Sequence, residues 1–556
     1  MLKRVLTLAL LIGSSLSFAA SKISPDLPKS GRPIDVIIQF KPMPGSNNTQ
    51  VIGKFGGLLK RSFGRINSVQ ATLPPAVLPL IAQLPTVSYI SPNRTLKRHV
   101  DISTQTVNAN LAWPLGYNGT GVGVAVIDSG VALKHDLTAA NGVTSRVVYS
   151  ESFVSGQDAS DGYGHGTHVA GIIGANGDDS TGPAFARTFK GVAPNVNLIN
   201  LKVLDENGSG QESDVIEAIE RAIDLKDTYN IRVINLSLGR PVYESYTLDP
   251  LCQAVEAAWK AGIVVVVAAG NTGRDNSLGT HGYGTIQSPG NDPYVITVGA
   301  TNAKGTPSPY DDSIASYSAK GPTAVDHLVK PDLVAPGNGV VSVLASTNCT
   351  LYNGYSGTRV NMAYETNGRI NGVSSSYLRL SGTSMATPVV SGAAALLIQK
   401  DPSLTPDQVK ARLMKTTRKI LPAYSTGVDA KTFASFNMQS DIFTVGAGYL
   451  DINAALVSND RVTRPALSPS AMYSSATRRV TIARDFSVVW GDSVVWGDSV
   501  VWGDSLFIGK VNGLSVVWGD SVVWGDTTTS AFSVVWGDST NLALLIQATS
   551  EDNGDQ

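Results

Sequence analysis

Residues 121–128 read Gly-Val-Gly-Val-Ala-Val-Ile-Asp, an almost unbroken apolar run that ends in an acid. Such a run is typical of a parallel β-strand covered on both faces, because neither face then requires polar side chains. Four later stretches have the same character: 196–204, 233–238, 263–269 and 295–300. Amphipathic segments at 213–225 and 251–261 lie between them. This alternation predicts an α/β fold with a doubly wound, mostly parallel sheet, in which ligands bind beyond the carboxyl ends of the strands.

Composition places the chain among globular proteins and argues against charged partners. It has 556 residues, of which 42% are hydrophobic and 16% charged, and its formal net charge is -1. A chain of this length exceeds one ordinary core, so several domains are expected. The balanced charge gives no reason to expect nucleic acid or an anionic membrane surface as a partner.

The first residues have the layout of a signal peptide, which we assign to residues 1–19. Lys3 and Arg4 precede an apolar segment, Val5–Leu11, and Ser17-Phe18-Ala19 offers a cleavage site of the small-x-small type. The apolar segment falls short of the ~20 residues that span a bilayer, and no later stretch is long enough. The sequence therefore predicts a protein that is exported and secreted, with no membrane span.

Cysteine usage leaves two states open. Cys252 and Cys349 are the 2 cysteines of the chain. In an oxidising compartment they are compatible with one disulfide, and two buried free thiols fit the sequence equally well.

A separate α+β unit is predicted over residues 32–98. Its strands and helix are expected, in chain order, at 35–40, 67–73, 75–84 (the helix) and 87–90. The following polar stretch, 91–101, has the composition of an exposed linker that proteases can cut. The main alternating domain is then expected over 110–458, with an irregular surface excursion at 348–376.

The C-terminal part differs in character from the rest. Residues 459–486 are interpreted as a linker or a small β segment, and 539–556 as the C-terminal end. Between them, over 487–538, the hexapeptide Ser-Val-Val-Trp-Gly-Asp begins at positions 487, 493, 499, 515, 521 and 533. Val and Trp favour strands and Gly-Asp favours turns, so a β-rich tail is one interpretation. A low-complexity tail that mediates surface attachment or self-association is the other.

Four polar residues stand out at the ends of predicted apolar elements. Asp128 ends the first strand, and Asn271 follows the apolar run 264–270. His165 opens a helix of small residues, and Ser384 lies in the stretch Leu380-Ser381-Gly382-Thr383-Ser384-Met385-Ala386-Thr387-Pro388. A serine hydroxyl needs a neighbouring base, the base needs an orienting carboxylate, and an amide donor can hold the oxyanion. The four residues supply these four roles.

The run after Pro388 has the alanine content of a buried helix, with Pro388 expected in its first turn. Ser384 would then lie at a helix N-terminus, where unpaired N–H groups favour a developing negative charge. Taken singly, Ser384 and Asp128 also fit helix caps and Asn271 a turn. The spacing of His165 and His168 also fits a metal-binding pair, although a third ligand is not evident. A catalytically silent binding module, with the repeats carrying the function, is the alternative of a different class.

At these residues the chain resembles the subtilisin-family serine proteases, over roughly residues 110 to 456. The matching motifs are Val126-Ile127-Asp128-Ser129-Gly130, His165-Gly166-Thr167-His168-Val169-Ala170-Gly171, Ala268-Ala269-Gly270-Asn271 and Gly382-Thr383-Ser384-Met385-Ala386-Thr387-Pro388. The resemblance implies a serine endopeptidase that hydrolyses peptide bonds of proteins through an acyl-enzyme. It implies Asp128, His165 and Ser384 as the triad, with Asn271 as the oxyanion donor.

The resemblance also implies sites for substrate and for calcium. It implies that an extended peptide is held between two edges, one formed by Gly208, Ser209 and Gly210 and the other by Ser237, Leu238 and Gly239. It also implies that Ala268, Ala269 and Gly270 form a wall of the pocket for the P1 side chain. Residues 32–98 resemble an inhibitory propeptide with a ferredoxin-like fold, cut away between Arg94 and Val107. No cofactor is implied for catalysis. A structural calcium ion is implied, with Asp136 as a candidate ligand.

Overall fold

The structure is a computed structural model. It describes residues 22–24, 27–28, 30–41, 52–93, 95–98, 104–277, 279–367, 371–474, 479–483, 506–510 and 554–555. The predicted signal peptide and the Trp-Gly-Asp repeats lie outside the described residues. Within the described ranges no helix combines the length and the apolar character needed to cross a bilayer.

The strands and helices of the described residues are numbered here in chain order. The strands are β1 (Ile34–Phe40), β2 (Leu58–Phe63), β3 (Ser68–Leu73), β4 (Val87–Pro92), β5 (Thr95–Arg98), β6 (Gly123–Asp128), β7 (Val147–Ser152), β8 (Asn197–Lys202), β9 (Gly210–Gln211), β10 (Ile231–Leu236), β11 (Leu238–Gly239), β12 (Val264–Ala268), β13 (Ile296–Asn302), β14 (Ser313–Ile314), β15 (Leu333–Pro336), β16 (Val340–Val343), β17 (Arg359–Asn361), β18 (Val373–Leu380), β19 (Tyr424–Val428), β20 (Ser435–Gln439), β21 (Ser470–Ser474), β22 (Arg479–Ala483) and β23 (Leu506–Lys510). The α-helices are α1 (Leu78–Ala82), α2 (His165–Gly174), α3 (Glu212–Asp224), α4 (Lys226–Tyr229), α5 (Pro250–Lys260), α6 (Thr350–Gly354), α7 (Met362–Glu365), α8 (Thr383–Lys400), α9 (Pro406–Lys415), α10 (Ile442–Val445) and α11 (Ile452–Val457).

An eight-stranded sheet forms the centre of the main domain, in the order β14-β13-β12-β10-β6-β8-β7, with β15 also paired to β13. Every pair in it is parallel except β13 with β14. All residues of β6 are buried, as the apolar run at 121–128 predicted. Helices α2 and α8 pack on each other, α3 packs on α5, and both pairs contact central strands. The predicted α/β fold with a mostly parallel sheet is therefore confirmed.

Helix α8 begins earlier than the sequence indicated. Ser384 is its second residue, so the predicted position at a helix N-terminus is correct. Pro388 lies in the second turn and not in the first, which corrects that prediction. A proline there cannot donate to the carbonyl four residues back, that of Ser384. The Ser237 hydroxyl donates to that carbonyl at 2.6 Å instead, which explains why the helix tolerates the proline.

The N-terminal unit is an antiparallel sheet of order β2-β3-β1-β4 with the short helix α1. Strands were predicted at the positions of β1, β3 and β4, and β2 was missed. The sequence of β2, Leu-Leu-Lys-Arg-Ser-Phe, does not alternate between apolar and polar residues. Because β2 is an edge strand and Leu58 is exposed, sheet pairing rather than burial determines its conformation.

Two segments that were expected to be irregular contain regular structure. Residues 95–98, within the predicted linker, form β5, which pairs antiparallel with β9 and with β11. The predicted surface excursion at 348–376 contains α6, β17 and α7, and it enters β18, which pairs with β16. Strand β5 pairs with residues far away in sequence, and β18 pairs with the separate strands β16 and β17, so local composition did not reveal either arrangement.

The structure also bears on the two cysteines and on the C-terminal region. Cys252 and Cys349 are buried free thiols, so the disulfide alternative is not realised.

In the region interpreted as a linker or small β segment, β21 and β22 form a sheet with β23. Residues 506–510 of β23 interrupt the repeats, and the repeats themselves stay a prediction.

The start of α2 makes a close backbone contact that only glycine permits. A Cβ on Gly166 would lie 2.1 Å from the carbonyl oxygen of Gly130. We expect Gly166→Ala to lower the free energy of unfolding by about 1–3 kcal/mol through overpacking. The matched control is Gly162→Ala, because a Cβ at Gly162 meets nothing nearer than 3.4 Å. Urea unfolding measures both, in a Ser384→Ala background chosen because the resemblance implies Ser384 as the nucleophile of a protease, which could digest itself during the measurement. Equal stabilities for the two variants would contradict the prediction.

A second prediction concerns His168, which is fully buried between α2 and β18. Its Nε2 donates to the carbonyl of Leu378 at 3.0 Å, and burial lowers its pKa from 6.5 to about 3. At pH values between about 3 and 6.5, this histidine binds a proton in the unfolded chain but not in the folded chain. Stability should therefore fall with decreasing pH below 6.5, by ~1.4 kcal/mol per pH unit from this residue.

Replacing the histidine removes this titration. We expect His168→Gln, again in a Ser384→Ala background, to show a shallower loss of unfolding free energy between pH 6.5 and 5 than its parent. Urea denaturation at several pH values supplies the two slopes. Parallel slopes would show that His168 is not the group responsible.

Candidate active site

The predicted site residues converge where three neighbouring strands end. Strands β12, β10 and β6 are adjacent and parallel. Leu236 of β10 pairs with Ile127 of β6, so Ser237 and Asp128 leave the sheet side by side. Asn271 follows the end of β12 by three residues. The carboxyl edge of the sheet therefore brings together residues that are far apart in the sequence.

Asp128 and His165 form a buried, hydrogen-bonded pair. The Nδ1 atom of His165 lies 2.6 Å from Oδ1 of Asp128, and both side chains are fully buried. Because a carboxylate only accepts hydrogen bonds, Nδ1 carries the proton and Nε2 is the basic nitrogen of the ring. The backbone N–H of Ser129 also donates to Oδ1 of Asp128, at 2.7 Å. The imidazole is thus fixed in the tautomer that a general base requires.

Asp161, which the sequence analysis did not single out, holds the start of α2 in place. Its carboxylate accepts from the N–H groups of Gly164 at 2.7 Å and Thr167 at 2.8 Å, and from the Ser129 hydroxyl at 2.8 Å. A carboxylate at this position satisfies unpaired donors at a helix N-terminus and interacts favourably with the helix dipole. Its position four residues before His165, just ahead of the start of a helix, was the sequence signal that could have identified it.

His165 and His168 make hydrogen bonds to different groups, which bears on the alternative of a metal pair. His165 contacts Asp128, whereas His168 donates to the Leu378 carbonyl. Among the residues that the structure describes, no group of three or more His, Cys, Asp or Glu side chains is arranged to hold a metal ion. The i, i+3 spacing of the histidines is therefore explained by two separate structural contacts.

Ser384 is tied to the sheet edge by a reciprocal pair of hydrogen bonds with Ser237. The Ser384 hydroxyl donates to the Ser237 carbonyl at 2.9 Å, and the Ser237 hydroxyl donates to the Ser384 carbonyl at 2.6 Å. Ser237 had been predicted only as a substrate-binding residue. Here its side chain fixes the position of the predicted nucleophile relative to the end of β10.

Asn271 is fixed against the residue that precedes Ser384. Its Oδ1 accepts from the N–H and from the hydroxyl of Thr383, both at 3.0 Å. Gly270 donates its N–H to the same hydroxyl at 3.0 Å. With its oxygen engaged in this way, the Asn271 side chain has its NH₂ group left to donate to another acceptor. Thr383 was also missed, although it lies within the quoted motif.

The two predicted substrate edges flank one strand in the structure. Strand β5 runs antiparallel to β9 on one side, where Leu96 is opposite Gly210, and to β11 on the other, where Lys97 is opposite Gly239 and Arg98 opposite Leu238. Gly208 and Ser209 form the turn before β9, with the Ser209 carbonyl accepting from Asp205 at 2.8 Å. The groove between the edges therefore holds an extended segment by main-chain pairing.

Ala268 ends β12, and Ala269 and Gly270 connect it to Asn271. Ala269 donates its N–H to the carbonyl of Val298 and accepts from Gln287, so this segment keeps an extended course beyond the sheet. Its role as a pocket wall stays a prediction.

Calcium binding at Asp136 stays a prediction, and the structure gives the contacts of this carboxylate. One carboxylate oxygen accepts from the Asp179 N–H at 2.8 Å and the other from the Tyr377 hydroxyl at 2.7 Å. Burial raises the pKa of Asp136 to about 6, and the guanidinium of Arg146 donates to the Asp136 carbonyl. Calcium requires six to eight oxygen ligands, several of them ionised. Asp136 serves here as a hydrogen-bond acceptor for its neighbours.

Comparison with known proteins agrees with this geometry. The profile of the Subtilase family, Peptidase_S8, matches residues 119–446. Serine protease AprX of Bacillus subtilis (strain 168) is 36% identical over 400 residues, which covers 69% of this chain and 83% of the relative. Subtilisin E of the same organism is 34% identical over 396 residues, covering 70% and 86%. Subtilisin DY of Bacillus licheniformis is 36% identical over 324 residues, covering 58% and 92%. The chain therefore belongs to the subtilase family and is a serine-type endopeptidase.

Proposed function

We propose that Asp128, His165 and Ser384 are the catalytic triad of this endopeptidase. The observation that supports this most directly is the buried pair of Asp128 and His165 at 2.6 Å, beside the strand end to which Ser384 is hydrogen-bonded. Asp128 holds the imidazole in one tautomer and stabilises the imidazolium that forms during the reaction.

In the proposed mechanism the Ser384 hydroxyl turns from the Ser237 carbonyl to Nε2 of His165. A hydroxyl proton can rotate from one acceptor to another, and this rotation is the first step that we propose. The oxygen attacks the substrate carbonyl as His165 takes the proton, and His165 then gives the proton to the leaving amine. Water hydrolyses the resulting acyl-enzyme through the same base. The side chains supply this chemistry without a cofactor.

The oxyanion is held, in this proposal, by the Asn271 amide and the backbone N–H of Ser384. The hydrogen bonds from Thr383 orient the Asn271 oxygen inward to the protein, so that the NH₂ group is the part offered to the substrate. Ser384 is the second residue of α8, where N–H groups lack partners within the helix. Donors fixed before the reaction stabilise the developing charge without a reorganisation cost.

We propose that protein substrates bind as β5 does, as an added strand between Gly208–Gly210 and Ser237–Gly239. Main-chain pairing accepts any extended peptide, and the segment Ala268–Gly270 would form one wall of the pocket for the P1 side chain. The substrates are therefore proteins or peptides with a locally extended segment.

The N-terminal unit, residues 32–98, is proposed to be an inhibitory propeptide. It docks on helix α3 through Arg61, which donates to Asp214 at 3.0 Å, and through Asn93, which accepts from the Ser213 N–H at 2.6 Å. Its last strand, β5, occupies the groove proposed for substrate. Because β5 ends at Arg98, we place the maturation cut after Arg98 and before Val107. The signal peptide proposed at 1–19 would export the precursor, and the mature enzyme would act outside the cell.

Substitution of the proposed nucleophile and oxyanion donor tests the site. We expect Ser384→Ala to abolish peptide hydrolysis, labelling by a fluorophosphonate probe and release of the N-terminal unit. Asn271→Ala should keep the labelling and lower kcat by ~10²–10³, the magnitude known for such a donor in this family. Asn195→Ala, an exposed asparagine far from the site in sequence, is the control. Probe labelling of processed Ser384→Ala protein would refute the assignment.

Inhibition by the N-terminal unit is tested at its interface with α3. We expect Arg61→Ala to weaken inhibition about two- to fivefold, because it removes a partly exposed ion pair with Asp214. Lys60→Ala is the matched control, since Lys60 pairs with Asp35 inside the unit at 2.7 Å. Peptidase activity of each precursor during processing supplies the measurement, together with N-terminal sequencing of the product. Equal inhibition in the two variants would contradict the proposed docking.

A further inference from the structure

The end of the chain occupies a pocket on the main domain that the proposed chemistry does not use. Gly554 and Asp555 are described, and the side chain of Asp555 is 1% exposed. The pocket, called here the Gly-Asp pocket, is formed by Arg274, Ser316, Asn338, Ser381 and Asp429.

The carboxylate of Asp555 is bound by several donors at once. Arg274 donates to Oδ1 at 2.8 Å, and the N–H of Ser316 donates to Oδ2 at 2.6 Å. The Ser316 hydroxyl donates to Oδ1 as well, and Arg274 holds that hydroxyl from its other side through Nε at 2.7 Å. Charge-assisted bonds of this kind are about twice as strong as neutral ones. An asparagine would lose the acceptor for one of the donors.

The main chain of the dipeptide is also bound specifically. Asn338 accepts from the Asp555 N–H at 2.7 Å and donates to the Asp555 carbonyl at 2.9 Å, so a single amide binds both main-chain groups. The Gly554 carbonyl accepts from the Ala430 N–H at 3.1 Å. These contacts leave the chain direction and the register of the dipeptide fixed.

Steric limits add selection for glycine and for a short acid. A Cβ on Gly554 would lie 2.4 Å from the Ser381 hydroxyl oxygen and 2.8 Å from Oδ1 of Asn338. The Asp555 carboxylate itself lies against Gly427, where a Cβ would come within 2.8 Å of it. The pocket therefore accepts Gly followed by Asp, with the carboxylate packed against Gly427.

From these contacts we propose that the Gly-Asp pocket is a binding site for a Gly-Asp segment of an extended peptide, and that its occupant is the C-terminal Gly554–Asp555 of the same chain. The same dipeptide ends each Ser-Val-Val-Trp-Gly-Asp repeat. The C-terminal copy is the one seated in the structure, so the repeats are competitors to be tested.

Occupation of the pocket joins the two loops of the proposed active site. Gly337, next to Asn338, accepts from the N–H of Gly382 at 2.8 Å and from the Tyr317 hydroxyl at 2.6 Å. The Tyr317 carbonyl accepts from Gly273 at 2.9 Å, next to Arg274. Asp555 thus connects the segment after Asn271 with the loop before Ser384. This effect on catalysis rests on the proposed function, whereas binding of the dipeptide does not.

Binding is tested without any catalysis in full-length Ser384→Ala protein. A fluorescein-labelled peptide Glu-Asp-Asn-Gly-Asp-Gln is titrated by anisotropy against this protein and against its Asp555→Ala variant, in which the pocket has lost its anchor. We expect saturable binding to the Asp555→Ala variant and at least ~10-fold weaker binding to the parent, whose own C-terminus competes. Arg274→Gln combined with Asp555→Ala should abolish binding.

Two further peptides establish the specificity. The same peptide with Ala in place of Gly should not bind, because of the contact with Ser381. Equal binding to parent and Asp555→Ala protein, or none to either, would overturn the proposal. Tighter binding of Ser-Val-Val-Trp-Gly-Asp than of the terminal peptide would overturn the C-terminus as the occupant.

Activity provides a separate readout of the connection between the loops. In the active enzyme we expect Asp555→Asn to lower kcat by about tenfold with little change in KM. Asp552→Asn, the same change three residues earlier, is the matched control. Added terminal peptide should restore kcat, which a purely structural defect would not allow. Peptide binding without any change in kcat would leave the binding site intact and refute the connection to catalysis.

Discussion

The reciprocal hydrogen bonds between Ser237 and Ser384 join the central sheet to the helix that carries the proposed nucleophile. Each serine donates its hydroxyl to the carbonyl of the other. The arrangement depends on Pro388, because a proline at this point of α8 leaves the Ser384 carbonyl without its helical partner. A backbone feature that would ordinarily weaken a helix is used here to fix the first turn of α8 against β10.

A second set of hydrogen bonds stabilises the buried pair Asp128 and His165. Asp128 and His165 are fully buried, and burial of a charge is tolerated only where hydrogen bonds compensate it. Ser129 supplies a donor to Asp128 and, through its hydroxyl, a bond to Asp161, which in turn caps the start of α2. The polar groups of the site therefore form a continuous network, and the apolar strands beneath it keep the network in register.

The N-terminal unit and the C-terminal dipeptide both contact the main domain at segments next to proposed site residues. The N-terminal unit places β5 between the two edges proposed for substrate, and the C-terminal dipeptide lies behind the loops that carry Asn271 and Ser384. The two contacts differ in kind. Strand β5 is held by main-chain pairing, which tolerates many sequences, whereas Gly554 and Asp555 are held by contacts that select glycine and aspartate. The first kind suits a segment that substrate is proposed to replace, and the second suits a fixed anchor.

The sequence alone determined the α/β class, because apolar runs such as 121–128 and the amphipathic segments between them are local patterns. It also determined the candidate residues Asp128, His165, Asn271 and Ser384, since each stands next to such a run. Only the tertiary structure decided which partners these residues have: Ser237, Thr383 and Asp161 act through contacts between distant segments. The strand β5 and the bound position of Asp555 were equally inaccessible, because each depends on hydrogen bonds to residues more than a hundred positions away. The order within 348–376 depends on pairing between the separate strands β16, β17 and β18, which no local pattern records either.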